Sequence, residues 1–113
     1  LVEAMAAAGR LVVPSGSIVV LEDVTERPYR IDRMLTALLV SGHLARASAI
    51  VFGQFTQCAP GPDGVTVDEV LLDRTRSLGI PVVARAPFGH GAPNHAFPLG
   101  RNATLRGGTL SWA

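Results

Sequence analysis

Residues 17–22 read SIVVLE, and residues 23–42 continue DVTERPYRIDRMLTALLVSG. This stretch decides the fold class. Ile18 to Leu21 form an apolar, β-branched run closed by the carboxylate of Glu22, the signature of a buried strand. A polar connection follows, and Pro28 suits the first turn of a helix, where a missing N–H leaves no gap. Ile31, Met34, Leu35, Leu38 and Leu39 then recur at helical spacing and make one apolar stripe. Arg30, Asp32, Arg33 and Thr36 fall mostly off it. Gly42 marks the C-terminal cap. A buried strand feeding an amphipathic helix is the opening of an α/β unit.

The pattern continues outward. ASAIVFGQF (47–55) is a second buried strand, and APGPDG (59–64) is a loop by composition. Thr66 and Glu69 have capping-box spacing and begin a second helix, running to about Leu78. Gly79 ends that helix, Pro81 follows, and IPVVARA (80–86) is a third strand. Residues 95–112 read HAFPLGRNATLRGGTLSW, short alternating segments with Gly107-Gly108 as the tightest turn. Upstream, residues 3–8 form a short helical end stopped by Gly9. The expected fold is α/β: one mixed sheet, with parallel strands joined by right-handed crossovers, two helices on one face, and small late strands adding antiparallel edges.

The totals bound the function. The chain has 113 residues, enough for one domain with a modest core. Its 10 basic and 9 acidic residues give a net charge of +1, which offers no electrostatic case for nucleic acid. Every basic residue is arginine, so a catalytic lysine and a lysine-bearing phosphate loop are both excluded within these residues. No apolar run approaches the roughly 20 residues of a membrane helix. LVEAMAAAGRLVV at the start carries Glu3 and lacks a basic leader region, so it does not read as a signal peptide. Cys58 is the single cysteine and can form no disulfide within the chain. His43, His90 and His95 are scattered, with no HExxH or CxxC spacing, so neither a metal nor another cofactor is expected.

Functional groups in such a sheet gather beyond the carboxyl ends of its strands. Glu22 closes the first strand, the GQFTQC turn follows the second, and APFGHGAPN (86–94) follows the third. Glu22 and His90 are therefore placed at one sheet edge. A carboxylate beside histidine fixes the ring tautomer and supports the imidazolium once the ring has taken a proton. Such a base needs a nucleophile, and none is well placed. No GxSxG elbow is present, the serines lie near helix ends, strand starts or the terminus, and Cys58 alone comes from the right edge. Bland readings stand beside this one. Glu22 also suits a solvated strand end, and His90 a surface turn. Asp23 suits a loop cap and Glu26 a first-turn helix carboxylate. His95 rivals His90 but lacks its flanking glycines.

Three separated blocks carry a resemblance. IVVLEDVTERPYRIDRMLTALLVSG, IVFGQFTQC and LGIPVVARAPFGHGAPNHAFPLGRNATL together resemble the C-terminal domain of the LD-carboxypeptidases, the family of murein tetrapeptide carboxypeptidases and microcin C immunity peptidases. The resemblance spans about Ser15 to Leu105. It implies a swivelling β/β/α fold and a Ser-Glu-His triad divided between two domains, with Glu22 and His90 as this domain's members. Gly89 and Gly91 would shape the histidine loop. The serine and the oxyanion donors would belong to an N-terminal nucleophile domain absent here, with residues 1–14 as the interdomain connection and 15–113 as the C-terminal domain. It further implies cytoplasmic hydrolysis of an L,D peptide bond, releasing D-alanine from muropeptide tetrapeptides in cell-wall recycling. No nucleic-acid or membrane partner follows, and self-association as a homodimer is expected of a surface left uncovered. Alone, the chain is expected to be inactive. Two alternatives stay open: a microcin-immunity type of peptidase, and a non-enzymatic binding or assembly module on the same fold.

Overall fold

A computed structural model describes residues 1–113. The chain runs α1 (Val2–Ala7), β1 (Ile18–Val24), α2 (Pro28–Val40), β2 (Ala49–Thr56), α3 (Val67–Thr75), a 3-10 turn (Arg76–Leu78), β3 (Val82–Val83), β4 (Ala103–Arg106) and β5 (Thr109–Trp112). It is an α/β fold. β1, β2 and β3 form a parallel sheet in that order, and β4 and β5 form a separate antiparallel hairpin.

The local signals act where they stand. Pro28 occupies the first turn of α2. Thr66 accepts from the Glu69 N–H while Glu69 reaches back to the Thr66 N–H, so α3 opens on a complete capping box. Helix α2 closes on paired bonds, Gly42 N–H to Leu39 O and His43 N–H to Leu38 O, the Schellman pattern.

β2 is the central strand, and its run from Ala49 to Gly53 is buried on both faces. Ile50 and Phe52 pack into one cluster with Ile31, Leu35 and Leu38 of α2 and Val67, Val70 and Leu71 of α3. Met34 and Leu39 pack against its margin. Val51 points to the other face, where it lines a cavity with Val83, Leu105, Leu110 and Trp112. The fold thus has three layers: the helix pair, the parallel sheet and the hairpin.

The late strands therefore form a sheet of their own instead of extending the parallel one. The cause lies in β3, which is two residues long although seven residues read as strand. Pro81 has no N–H to give a ladder, and Arg85 turns into the left-handed region at φ 61°. So short an edge offers little to pair with. The hairpin instead lays its half-buried Leu105 and Leu110 over the sheet face. Its turn is Gly107-Gly108, with φ of 55° and 78°, the positive pair that a two-residue connection needs.

Candidate active site

The site begins as a register fault. Leu21 of β1 faces Phe52 of β2, but Asp23 faces Phe55, so Gly53 and Gln54 together oppose Glu22. A bulge of this kind re-aims side chains and bends the strand. β1 does not end at Glu22, as its sequence suggests; pairing resumes through Val24 with Thr56. Glu22 sits in the middle of the fault with its side chain 31% exposed.

The loop after β3 comes to meet it. Beyond the turn at Arg85, the chain rejoins β2: Ala86 N–H donates to Phe52 O at 3.0 Å, and Gln54 N–H donates to Phe88 O at 2.9 Å. Phe88 is buried and packs on Phe97 with ring centroids 4.9 Å apart. Gly53 makes this approach feasible, since a Cβ there would fall 2.5 Å from the Phe88 ring and 2.6 Å from its carbonyl oxygen. Gly89 follows at φ 128°, a conformation that side chains rarely adopt, and a Cβ on it would lie 3.1 Å from Glu22 Oε2. The neck of the loop is tied by His95 N–H to Pro87 O at 2.7 Å and by Gly89 N–H to Asn94 Oδ1 at 3.2 Å.

These constraints bring His90 to Glu22. His90 Nδ1 lies 2.8 Å from Glu22 Oε2. A carboxylate oxygen accepts, so a neutral imidazole placed here carries its proton on Nδ1 and leaves the Nε2 lone pair free. The ring is 55% exposed and Nε2 has no hydrogen-bond partner within the chain. A basic nitrogen, oriented from behind by a carboxylate, is thus presented outward. No serine, threonine or cysteine side chain hydrogen-bonds to it.

The other candidates sit elsewhere or in other bonds. Cys58 is buried, its Sγ donates to Thr56 O at 3.4 Å, and burial pushes its thiol up, away from the thiolate a nucleophile needs. His43 Nδ1 is 2.6 Å from Ser41 Oγ just after α2. His95 is held through its backbone and its ring meets no carboxylate. Asp23 Oδ1 accepts the Val24 N–H, and Glu26 pairs with Arg30 at 3.1 Å. Glu22 also borders an apolar cleft of about 410 Å³ between α1, β1 and α2.

One participant escaped the sequence reading. Gln54 Oε1 accepts the Gly91 N–H at 2.8 Å, and its Nε2 donates to Pro93 O at 2.8 Å. A lone glutamine near a strand end matches no short catalytic motif. The available signal was its neighbour Gly53, because a glycine inside a strand marks a bulge or a close backbone approach.

Residues 1–105 match the family model for the LD-carboxypeptidase C-terminal domain. The chain belongs to this family. Murein tetrapeptide carboxypeptidase of Pseudomonas aeruginosa is 38% identical over 104 residues, which are 92% of this chain and 34% of that protein. The crystal structure of muramoyltetrapeptide carboxypeptidase from Oxalobacter formigenes superposes with a TM-score of 0.81 at 33% identity, covering 96% of this chain and 39% of the other. A microcin C7 self-immunity protein shares the fold at a TM-score of 0.60 and 21% identity, covering 66% of this chain and 22% of the other. The LD-carboxypeptidase domain spans about a third of the length of the curated relatives it matches. None of its helices is long and apolar enough to cross a membrane.

Proposed function

We propose that this LD-carboxypeptidase domain is the base-bearing half of a serine peptidase site that releases D-alanine from murein tetrapeptides. The observation that carries the reading is the 2.8 Å bond from His90 Nδ1 to Glu22 with Nε2 left free and outward. In the proposed reaction, Nε2 takes the proton of a serine hydroxyl supplied by the N-terminal nucleophile domain, and the serine oxygen attacks the carbonyl of the L,D bond. The imidazolium then protonates the leaving amine of D-alanine, and a water repeats the cycle to free the acyl-enzyme. Glu22 keeps the ring in the useful tautomer and supports its positive charge. Backbone N–H groups of the nucleophile domain would hold the oxyanion. Residues 1–14 would connect the two domains.

The test is a fusion. This chain replaces the C-terminal third of the Pseudomonas enzyme, and D-alanine release from a murein tetrapeptide is measured. The fusion should turn over, while the 113-residue chain alone should release none. Glu22→Gln should lower kcat by about 10⁴-fold and His90→Ala by about 10⁶-fold, the scales of acid and histidine lesions in serine-peptidase triads generally. Near-normal turnover in either variant removes that residue from the mechanism.

A further inference from the structure

We infer that the side-chain amide of Gln54 is a positioning residue that clamps the tip of the histidine loop and so keeps His90 against Glu22. The inference rests on the reading of His90 as the base, and adds the device that aims it. The bonds His95 N–H to Pro87 O and Gly89 N–H to Asn94 Oδ1 close the neck of the loop only. Across residues 90–93, the ties to the sheet are the His90–Glu22 bond itself and the two bonds of one amide, Gly91 N–H to Oε1 and Nε2–H to Pro93 O. The backbone N–H of the same glutamine holds Phe88 O. Gln54 therefore grips the chain on both sides of the histidine.

The grip has only one orientation. A flipped amide would set its donor against the Gly91 N–H and its acceptor against the Pro93 carbonyl. It also explains Gly91. The three atoms nearest a Cβ at Gly91 all belong to the Gln54 amide, at 2.8, 3.1 and 3.4 Å. Its backbone lies outside the left-handed region, so the tightest obstacle to a side chain there is the Gln54 amide, which would have to leave its place to admit one. Glycine at 91 is the space into which the amide fits.

The test uses the ¹⁵N-labelled chain and needs no substrate. In the unaltered chain the His90 ring should show the Nδ1–H tautomer, and the Gly91 amide should exchange slowly. Gln54→Ala should mix the tautomers and speed Gly91 exchange by about 5- to 30-fold, the loss expected for one or two hydrogen bonds. Gln54→Glu, which keeps an acceptor for Gly91 N–H, should retain much of that protection. Gly91→Ala should mimic Gln54→Ala, and should add nothing further once Gln54 is alanine. Unchanged tautomer and exchange in Gln54→Ala overturn the inference; so does a Gly91→Ala effect that persists without the glutamine. In the fusion, Gln54→Ala should lower kcat by about 10- to 100-fold with KM little changed. Failure of the functional reading looks different: His90→Ala would leave turnover intact while the coupling between Gln54 and the ring tautomer remained.

Discussion

Gly53 has less room than any other glycine of the site. A methyl group there would press on the Phe88 ring at 2.5 Å and on the Phe88 carbonyl at 2.6 Å. The ring is wedged against Phe97, and the carbonyl already accepts the Gln54 N–H, so neither yields cheaply. Gly53→Ala should therefore cost about 1–3 kcal/mol of stability, the usual scale of overpacking. It should also shift the His90 ring resonances, because Phe88 carries the start of the histidine loop. Urea unfolding checks the first; a loss below about 0.5 kcal/mol, the range of neutral surface changes, would show that the loop simply moves aside. At this scale the sequence was half transparent. Strand order puts Glu22 and His90, 68 positions apart, at one edge, and the family resemblance is what singles them out as a pair. The bulge that seats Glu22 was not legible, since pairing register depends on both strands at once. Gln54 stayed hidden because its work lies in meeting a backbone distant in sequence.

At the scale of elements, local chemistry was the readable part. The Pro28 start, the Thr66–Glu69 box and the Gly107-Gly108 turn each act within a few residues, so each is written in the chain where it operates. The contact between α2 and α3 is not local, and it carries an electrostatic prediction. Arg74 of α3 forms a salt bridge with Asp32 of α2, and that guanidinium holds the Asp32 carboxyl below its ordinary value of 3.8. Hydrogen bonds from Thr66 hold Glu69 below 4.5 in the same sense. A carboxylate whose pKa is lower in the folded state contributes stability above its unfolded value. That contribution fades as pH falls through the folded value. The stability gap between the unaltered chain and Asp32→Asn should accordingly be widest near neutrality and shrink as the pH drops below 3.8. Urea titrations at about pH 6 and about pH 3 measure it. A gap of equal size at both would mean that the bridge is too well screened to matter.

Over the whole molecule, the three layers leave one corner for chemistry. The helices cover one sheet face and the hairpin the other, while Glu22 and His90 meet beyond the middle of the parallel sheet, where the bulge opens it. The layering itself could not be read ahead of the structure. Alternating short strands announce a hairpin, but whether it extends a sheet or covers it depends on how much edge β3 exposes. The functional proposal makes a demand at this scale: the nucleophile domain has to cover the corner where His90 Nε2 points outward. In the fusion, amide exchange should slow at residues 88–94 and at the Glu22 bulge, relative to the chain alone. The outer faces of α2 and α3, around Arg33 and Asp73, should be unchanged, because a partner docked there would stand behind the helix layer with no route to the ring. Hydrogen exchange with mass spectrometry reads both regions in one experiment. Protection confined to the helix face would separate His90 from any incoming serine, and the division of the triad between domains would have to be given up.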